Sequence, residues 1–159
     1  MPASARAIAN EFIRLAKETN RFLTPLQILK LCYIAHGWML ALYQRPLISD
    51  KIEAWKYGPV IPELYHSMKN YGSGYVTTPL TNLFGRPVET SLDSQQTDLL
   101  KQVFRLYGDR TGIQLSQITH EPNTPWSITW ESEGQNSEIS NDLIAEHYRR
   151  LINERRSVK

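Results

Sequence analysis

The sequence predicts a mainly α protein: a compact single-domain bundle of about six helices, with a small β-hairpin or extended segment near residues 46–58. Three observations predict this class. Apolar residues recur at helical spacing through most of the chain, capping boxes begin two of the expected helices, and 159 residues is the length of one ordinary domain. We therefore expect residues 1–159 to form one domain, with a core over about 7–148 and a mobile loop at about 72–90.

The second of the two N-terminal helices is predicted to lie at the centre of the bundle. The helix over residues 3–19 carries one apolar stripe, formed by Ile8, Phe12, Leu15 and Ala16. The next helix begins at a capping box of Thr24 and Gln27 and runs to about Tyr43, with apolar residues on nearly every side. Gly37 within it predicts a close approach by another backbone.

The segment 46–58 is predicted to be extended, with residues 48–52 as a turn between two short extended pieces. Pro59 requires extended backbone in the residue before it. Pro62 then begins a helix that runs to about Tyr71, because proline is favoured in the first helical turn.

The C-terminal half is predicted to contain three more helices. A capping box at Asp93 begins one that ends at Gly108, and a shorter one covers residues 114–119. Two prolines and a glycine predict a loop over residues 121–135, which carries two tryptophans. The last helix starts near Ser140 and ends in a basic cluster.

Composition and charge exclude several classes of function. The net charge of +2 calls for neither nucleic acid nor membrane, and the longest weakly polar run, residues 31–43, is shorter than the roughly 20 residues that span a bilayer. The single cysteine, Cys32, excludes a disulfide framework and a multi-cysteine zinc site. The four histidines lack the spacing of metal ligands on a helix. We expect a cytoplasmic protein without a cofactor.

No residue pattern points to catalysis, and no enzyme is expected. Cys32 and His36 lie on the buried second helix, where a thiol is unreactive and a histidine is usually a hydrogen-bonded core residue. Glu53 and Glu63 are expected to be solvated charges rather than a pair in reach of one substrate.

A nucleic-acid-binding regulator is the alternative class, because the last helix ends in a basic cluster of Arg149, Arg150, Arg155, Arg156 and Lys159. Against it, Glu146 and Glu154 lie in the same helix, and basic residues are favoured at any helix C-terminus. Nucleic acid is therefore not the expected partner.

Three segments, residues 23–36, 53–65 and 115–126, together resemble the Panacea domain, also called the SocA-like antitoxin domain, of bacteria and phages. The most specific parts are the run from Ala54 to Pro62 and the pair of His120 with Pro125-Trp126. The resemblance implies a mostly helical antitoxin that neutralises a toxin encoded beside it by direct binding. One branch of the family instead delivers its toxin to an ATP-dependent protease, which makes that protease an alternative partner. The resemblance brings no catalytic residues.

The motif residues are expected to shape the domain, by clustering around the stiff Tyr57–Pro62 connector. They are Trp55, Tyr57, Gly58, Pro59, Pro62, Tyr65, His120, Pro125 and Trp126. Partner choice is expected outside the motif, in the loop of residues 72–86 and the aromatics near it, because aromatic side chains carry much of the binding energy of interfaces. The residues predicted to bind the partner are Tyr71, Tyr75, Leu83, Phe84 and Arg86.

Overall fold

The computed structural model describes the backbone of residues 1–157 and the side chains of residues 1–154, and it confirms a mainly α fold. The helices of this described part are α1 (Ala5–Glu18), α2 (Pro25–Tyr43), α3 (Pro62–Met68), a 3₁₀ turn (Lys69–Tyr71), α4 (Ser94–Tyr107), α5 (Gly112–Thr119), α6 (Pro125–Glu133) and α7 (Asn141–Ser157). Two short strands, β1 (Glu53–Trp55) and β2 (Gly58–Val60), pair antiparallel.

Helix α2 is the central element, as predicted, and packs against α1, α4, α5 and α7. Its capping box is present, since the Gln27 amide donates to Thr24 Oγ1 at 3.2 Å and Gln27 Oε1 accepts from the Thr24 amide at 2.9 Å. The predicted capping box at Asp93 is likewise formed at the start of α4. These caps fix where both helices begin.

His36 is the hydrogen-bonded core histidine that the sequence predicts. Its Nδ1 accepts from the amides of Leu47 and Ile48 at 3.3 and 3.2 Å, so Nε2 carries the proton and donates to Asn141 Oδ1 at 2.9 Å. Burial lowers the pKa of His36, which favours this neutral form. The ring thereby joins α2 to the segment after it and to the start of α7.

The close approach at Gly37 is made by a ring, not by the backbone that was predicted. A Cβ on Gly37 would lie 2.2 Å from Cε2 of Tyr148, which is buried. Tyr148 also packs edge-on against Trp38, with ring centroids 5.0 Å apart. The glycine therefore makes room for the aromatic contact that holds α7 on α2.

The hairpin is displaced from the predicted position. β1 pairs with residues that follow it, with Trp55 opposite Gly58, rather than with residues 46–48. Gly58 permits this because its φ of +120° is unfavourable for other residues. Residues 46–48 instead lie beside the N-terminus, where the Ala3 amide donates to Leu47 O at 2.9 Å.

The predicted loop over residues 121–135 is wrong, because α6 occupies most of it. Thr124 caps the helix by accepting from the Ser127 amide at 3.3 Å, and Pro125 is the first helical residue. Gly134 ends the helix with φ +90°. This is the Thr-Pro start signal of α2 repeated, and it gives seven α-helices in the described residues where about six were expected.

Candidate partner-binding site

The hairpin of the family motif is held by three helices at once. Every second backbone carbonyl along it accepts a hydrogen bond from a side chain of α6, α5 or α2. The pairs are Trp126 Nε1 to Trp55 O at 2.5 Å, Ser116 Oγ to Tyr57 O at 2.7 Å and Lys30 Nζ to Pro59 O at 2.7 Å. These bonds fix the path of the connector and explain why a polar residue is placed on each of the three helices.

Lys30 is a fully buried lysine in this cluster. It is 1% exposed, and a Cβ on Gly58 would lie 2.9 Å from its Nζ, so the glycine also makes room for the ammonium group. Burial lowers the pKa of Lys30 to about 7. No described carboxylate pairs with it, so Pro59 O is the acceptor that positions it.

Four of the predicted motif side chains come together. The rings of Trp55 and Tyr65 are 5.1 Å apart, and those of His120 and Trp126 are 5.4 Å apart. His120 caps the C-terminus of α5, and its Nδ1 donates to Ser116 O. Two of the motif prolines, Pro62 and Pro125, are the first residues of α3 and α6.

Tyr57 is the motif residue whose ring the structure does not bring into the cluster. Its side chain is 69% exposed at the tip of the hairpin, with Lys56 Nζ 5.5 Å from the ring centroid. Only its carbonyl joins the cluster. The two carboxylates that flank the connector have separate partners: Glu53 accepts from Trp55 Nε1, and Glu63 pairs with Arg6.

Residues 80–88 form a projecting segment that runs out and back, which we call the finger. Its outgoing and returning arms are joined by the Val88 amide, which donates to Leu80 O at 3.0 Å, and by a bridge between Thr81 and Pro87. The Asn82 amide donates to the carbonyl of Arg86 at 2.8 Å. The finger is therefore built like a short hairpin.

Asn82 fixes the tip of the finger. Its Oδ1 accepts from the amides of Phe84 and Arg86 at 2.9 and 3.1 Å, and its carbonyl accepts from the Gly85 amide at 3.1 Å. Gly85 has φ +74°, where glycine is favoured. The tip is therefore a hydrogen-bonded turn although it is surrounded by solvent.

Asn10 of α1 fixes the base of the finger. Its Nδ2 donates to the carbonyls of Leu80 and Val88, each at 2.9 Å, and its Oδ1 accepts from the Leu80 amide at 2.7 Å. Arg6 adds a bond from Nη1 to Thr81 O at 3.1 Å. Leu80 itself is buried. Side chains of α1 therefore anchor both arms of the finger.

The tip presents apolar side chains to solvent. Leu83 is 98% and Phe84 87% exposed. Arg86 is exposed as well, and within the described part of the chain its guanidinium has no hydrogen bond or ion pair. Three of the five residues predicted to bind the partner are therefore neighbours on one hydrogen-bonded turn.

The other two predicted partner residues lie elsewhere. Tyr71 packs against the core, and its hydroxyl is 3.0 Å from Thr78 Oγ1. Tyr75 is 61% exposed and lines a separate groove of about 500 Å³ with Phe22 and Gly112.

Asn10 and Asn82, which hold the finger, were not predicted from the sequence. The turn signal Asn-Leu-Phe-Gly at residues 82–85 could have indicated Asn82.

The basic cluster of the alternative hypothesis is described only in part. Arg149 and Arg150 are exposed on α7, whereas Lys159 and the side chains of Arg155 and Arg156 lie outside the described residues. In the portion of the chain that the structure describes, no group of three or more histidine, cysteine, aspartate or glutamate side chains is placed to hold a metal ion. No described helix has the length and apolar character needed to cross a membrane.

The sequence that builds this fold matches a known family of antitoxins. Residues 28–127 match the model of the family described as "Antitoxin SocA-like, Panacea domain", and the chain belongs to this family. It is also similar to the antitoxin SocA of Caulobacter vibrioides (strain NA1000 / CB15N), with 30% identity over 137 residues that cover 83% of this chain and 73% of the relative. No solved structure gives a significant match. The family match spans both the motif hairpin and the finger.

Proposed function

We propose that this protein is a cytoplasmic antitoxin that neutralises its toxin by direct binding and without catalysis, and that the finger contacts the toxin. Membership of the antitoxin family supports the first part. The exposure of Leu83 and Phe84 at the tip of a fixed turn carries the second. A soluble protein rarely holds two adjacent apolar side chains almost fully in solvent unless a partner covers them.

The finger suits a binding role because its internal hydrogen bonds reduce the conformational freedom that its backbone would lose on binding. Forming a complex costs free energy for each segment that must be ordered. The bonds from Asn82 and Asn10 favour one conformation of this segment and so lower that cost. Aromatic and arginine side chains are also the residues that most often dominate interfaces, and the finger displays one of each.

The test is neutralisation by a double variant, Leu83→Ser with Phe84→Ser. The product of the neighbouring gene is expressed with either wild type or variant, and growth and the dissociation constant are measured. Burying each side chain is worth roughly 1.5–3 kcal/mol, so we expect affinity to fall about 100-fold or more and growth to stop. Ile113→Ser, which alters another exposed apolar residue (69% exposed), is the matched control and should neutralise normally.

Unchanged neutralisation by the double variant would exclude the finger as the contact surface. A further variant, Asn82→Ala, keeps both apolar side chains and the backbone bonds of the turn, and removes only the two bonds that the Asn82 side-chain oxygen accepts. We expect about a tenfold loss of affinity from it, since two net hydrogen bonds are worth roughly 1–3 kcal/mol. Circular dichroism identical to wild type would show that the domain itself is intact in each variant.

A further inference from the structure

We propose that a cavity between α2, α5 and α7 binds a small uncharged molecule that presents an oxygen acceptor to the hydroxyl group of Tyr33. The described residues that line this cavity include none of the finger, so the inference goes beyond the proposed function and does not depend on it. Three observations support it: a buried donor without a partner, a space beside that donor, and uncharged walls.

The hydroxyl group of Tyr33 is the buried donor. Tyr33 is 1% exposed, and no described residue forms a hydrogen bond with its hydroxyl group. Burial raises the pKa of Tyr33, so the hydroxyl group keeps its proton at neutral pH. A buried polar group without a partner destabilises the folded protein. An acceptor on a bound molecule would remove this cost.

Tyr33 lines a cavity of about 30 Å³ that opens at the surface. A cavity needs about 10–15 Å³ to hold one water molecule, so this one has room for an oxygen atom and the carbon that carries it. Ile118, His147 and Leu151 also line the cavity and are partly exposed, which places them at its mouth. The same three residues line an outer groove of about 320 Å³. The body of the ligand can lie in that groove.

The walls of the cavity carry no charge. Among the described residues that line it, none is an aspartate, glutamate, lysine or arginine. Burial lowers the pKa of His147, which favours the neutral ring. The hydroxyl groups of Thr119 and Thr124 already donate to backbone carbonyls, at 3.0 and 2.7 Å. Because a buried charge without a counterion is costly, the part of the ligand that enters the cavity is uncharged.

Two more phenol groups lie beside that of Tyr33. Tyr107 and Tyr148 line the same cavity, and the hydroxyl group of Tyr107 accepts from Trp38 Nε1 at 3.4 Å. Burial and the nearby phenol groups of Tyr33 and Tyr107 raise the pKa of Tyr148, so Tyr148 also keeps its proton. The end of the cavity therefore offers protonated phenol groups, which match a neutral acceptor such as a carbonyl oxygen.

The test is a titration of the free protein with cyclopentanone, followed by the backbone amide signals in two-dimensional NMR spectra. This probe is uncharged and carries one carbonyl oxygen on an apolar ring. We expect saturable shifts at the amides of Ile118 and Leu151, which lie at the mouth of the cavity. Tyr33→Phe should bind about tenfold more weakly, because it lacks the donor.

Two controls separate the hydroxyl group and the charge from other effects. Tyr75→Phe removes an exposed hydroxyl group in a different groove and should bind cyclopentanone like wild type. Cyclopentylamine has the same ring but is a cation at pH 7, and it should cause no saturable shift at the mouth of the cavity. A thermal midpoint of Tyr33→Phe at or above that of wild type would show that weaker binding is not due to unfolding.

Three results would overturn the inference. Equal affinity of wild type and Tyr33→Phe would show that the hydroxyl group does not contact the ligand. The absence of saturable shifts at the mouth would show that the cavity accommodates only water. Equal binding of cyclopentylamine would show that the site does not select an uncharged molecule. None of these results bears on the antitoxin role, because the titration uses the protein without its toxin.

Discussion

Replacing Lys30 by methionine tests how the buried ammonium group supports the motif hairpin. Lys30 is 1% exposed and donates to Pro59 O at 2.7 Å. Its burial lowers the pKa from 10.5 to about 7. Methionine is of similar length and uncharged, so Lys30→Met removes both the cost of burying a charge and the hydrogen bond to the hairpin.

The size of the expected change in the free energy of unfolding follows from the pH range in which the folded and unfolded states differ in the protonation of Lys30. Below pH 7, Lys30 is charged in the folded and in the unfolded chain, and the folded state bears the full cost of burial. Between about pH 7 and 10.5 the folded state has released the proton that the unfolded state keeps. The free energy of unfolding therefore rises with pH in this range, by at most about 1.36 kcal/mol per pH unit. From pH 6 to pH 9 the rise is about 2.7 kcal/mol.

The assay is urea unfolding followed by circular dichroism at pH 6 and pH 9. Burial raises the pKa of Cys32, Tyr33 and Tyr148, but these groups are present in both proteins and cancel in the difference. We expect the stability of wild type relative to Lys30→Met to increase by about 2.7 kcal/mol between the two pH values. At pH 9 the variant should be the less stable protein, because an unpaired buried carbonyl costs roughly 1–3 kcal/mol.

A stability difference that is the same at both pH values would refute this reasoning, since it would show that Lys30 is not desolvated in the folded protein. Lys101→Met, which removes an exposed lysine from α4, is the matched control for the loss of one positive charge.

Three further substitutions test the packing. Tyr33→Phe removes a buried hydroxyl that has no partner among the described residues, so the free energy of unfolding should rise by about 1 kcal/mol; a lower thermal midpoint would contradict this. Gly37→Ala places a Cβ 2.2 Å from the Tyr148 ring, and we expect a loss of about 1–3 kcal/mol in urea unfolding, whereas an unchanged midpoint would show that α7 moves freely. Trp126→Phe removes the indole donor to Trp55 O and should cost about 0.5–1.5 kcal/mol, the net value of one hydrogen bond; stability equal to wild type would mean that this bond does not hold the hairpin.

Local signals were sufficient to predict most of the fold. The capping boxes at Thr24 and Asp93 were predicted because each is encoded within four residues. The same kind of signal at Thr124-Pro125 begins α6. The prolines and the glycine near this signal favoured a loop in the sequence prediction. In the structure, however, Pro125 begins the helix and Gly134 follows its last residue, so neither lies inside it.

The parts that could not be predicted depend on contacts between distant residues. Asn10 and Leu80 are 70 positions apart, and Lys30 reaches a carbonyl 29 positions away. No periodicity or turn signal encodes such pairs. The composition of residues 72–90 predicts a mobile loop, and this stays a prediction; what composition does not reveal is that two residues inside the segment pack on the core, Val76 fully buried and Leu80 nearly so.

The predicted partner-binding residues fall into two groups, because some are placed by local sequence and others by contacts between distant residues. Leu83, Phe84 and Arg86 lie within one turn, so proximity in sequence was enough to group them. Tyr71 ends the 3₁₀ turn before this segment, and the pairing of Val76 with Leu23 places Tyr75 in another groove. That pairing spans two parts of the chain whose contact the sequence does not reveal.

Reconstitution from purified components tests the central claim most directly. This protein and the product of the neighbouring gene are mixed without any protease, and both the formation of a complex and the loss of toxin activity are measured. Direct neutralisation predicts a stoichiometric complex in which the toxin is inactive and in which backbone amides of residues 82–86 gain protection from hydrogen exchange. A toxin that stays active in the mixture, and is removed only when an ATP-dependent protease is added, would contradict the account.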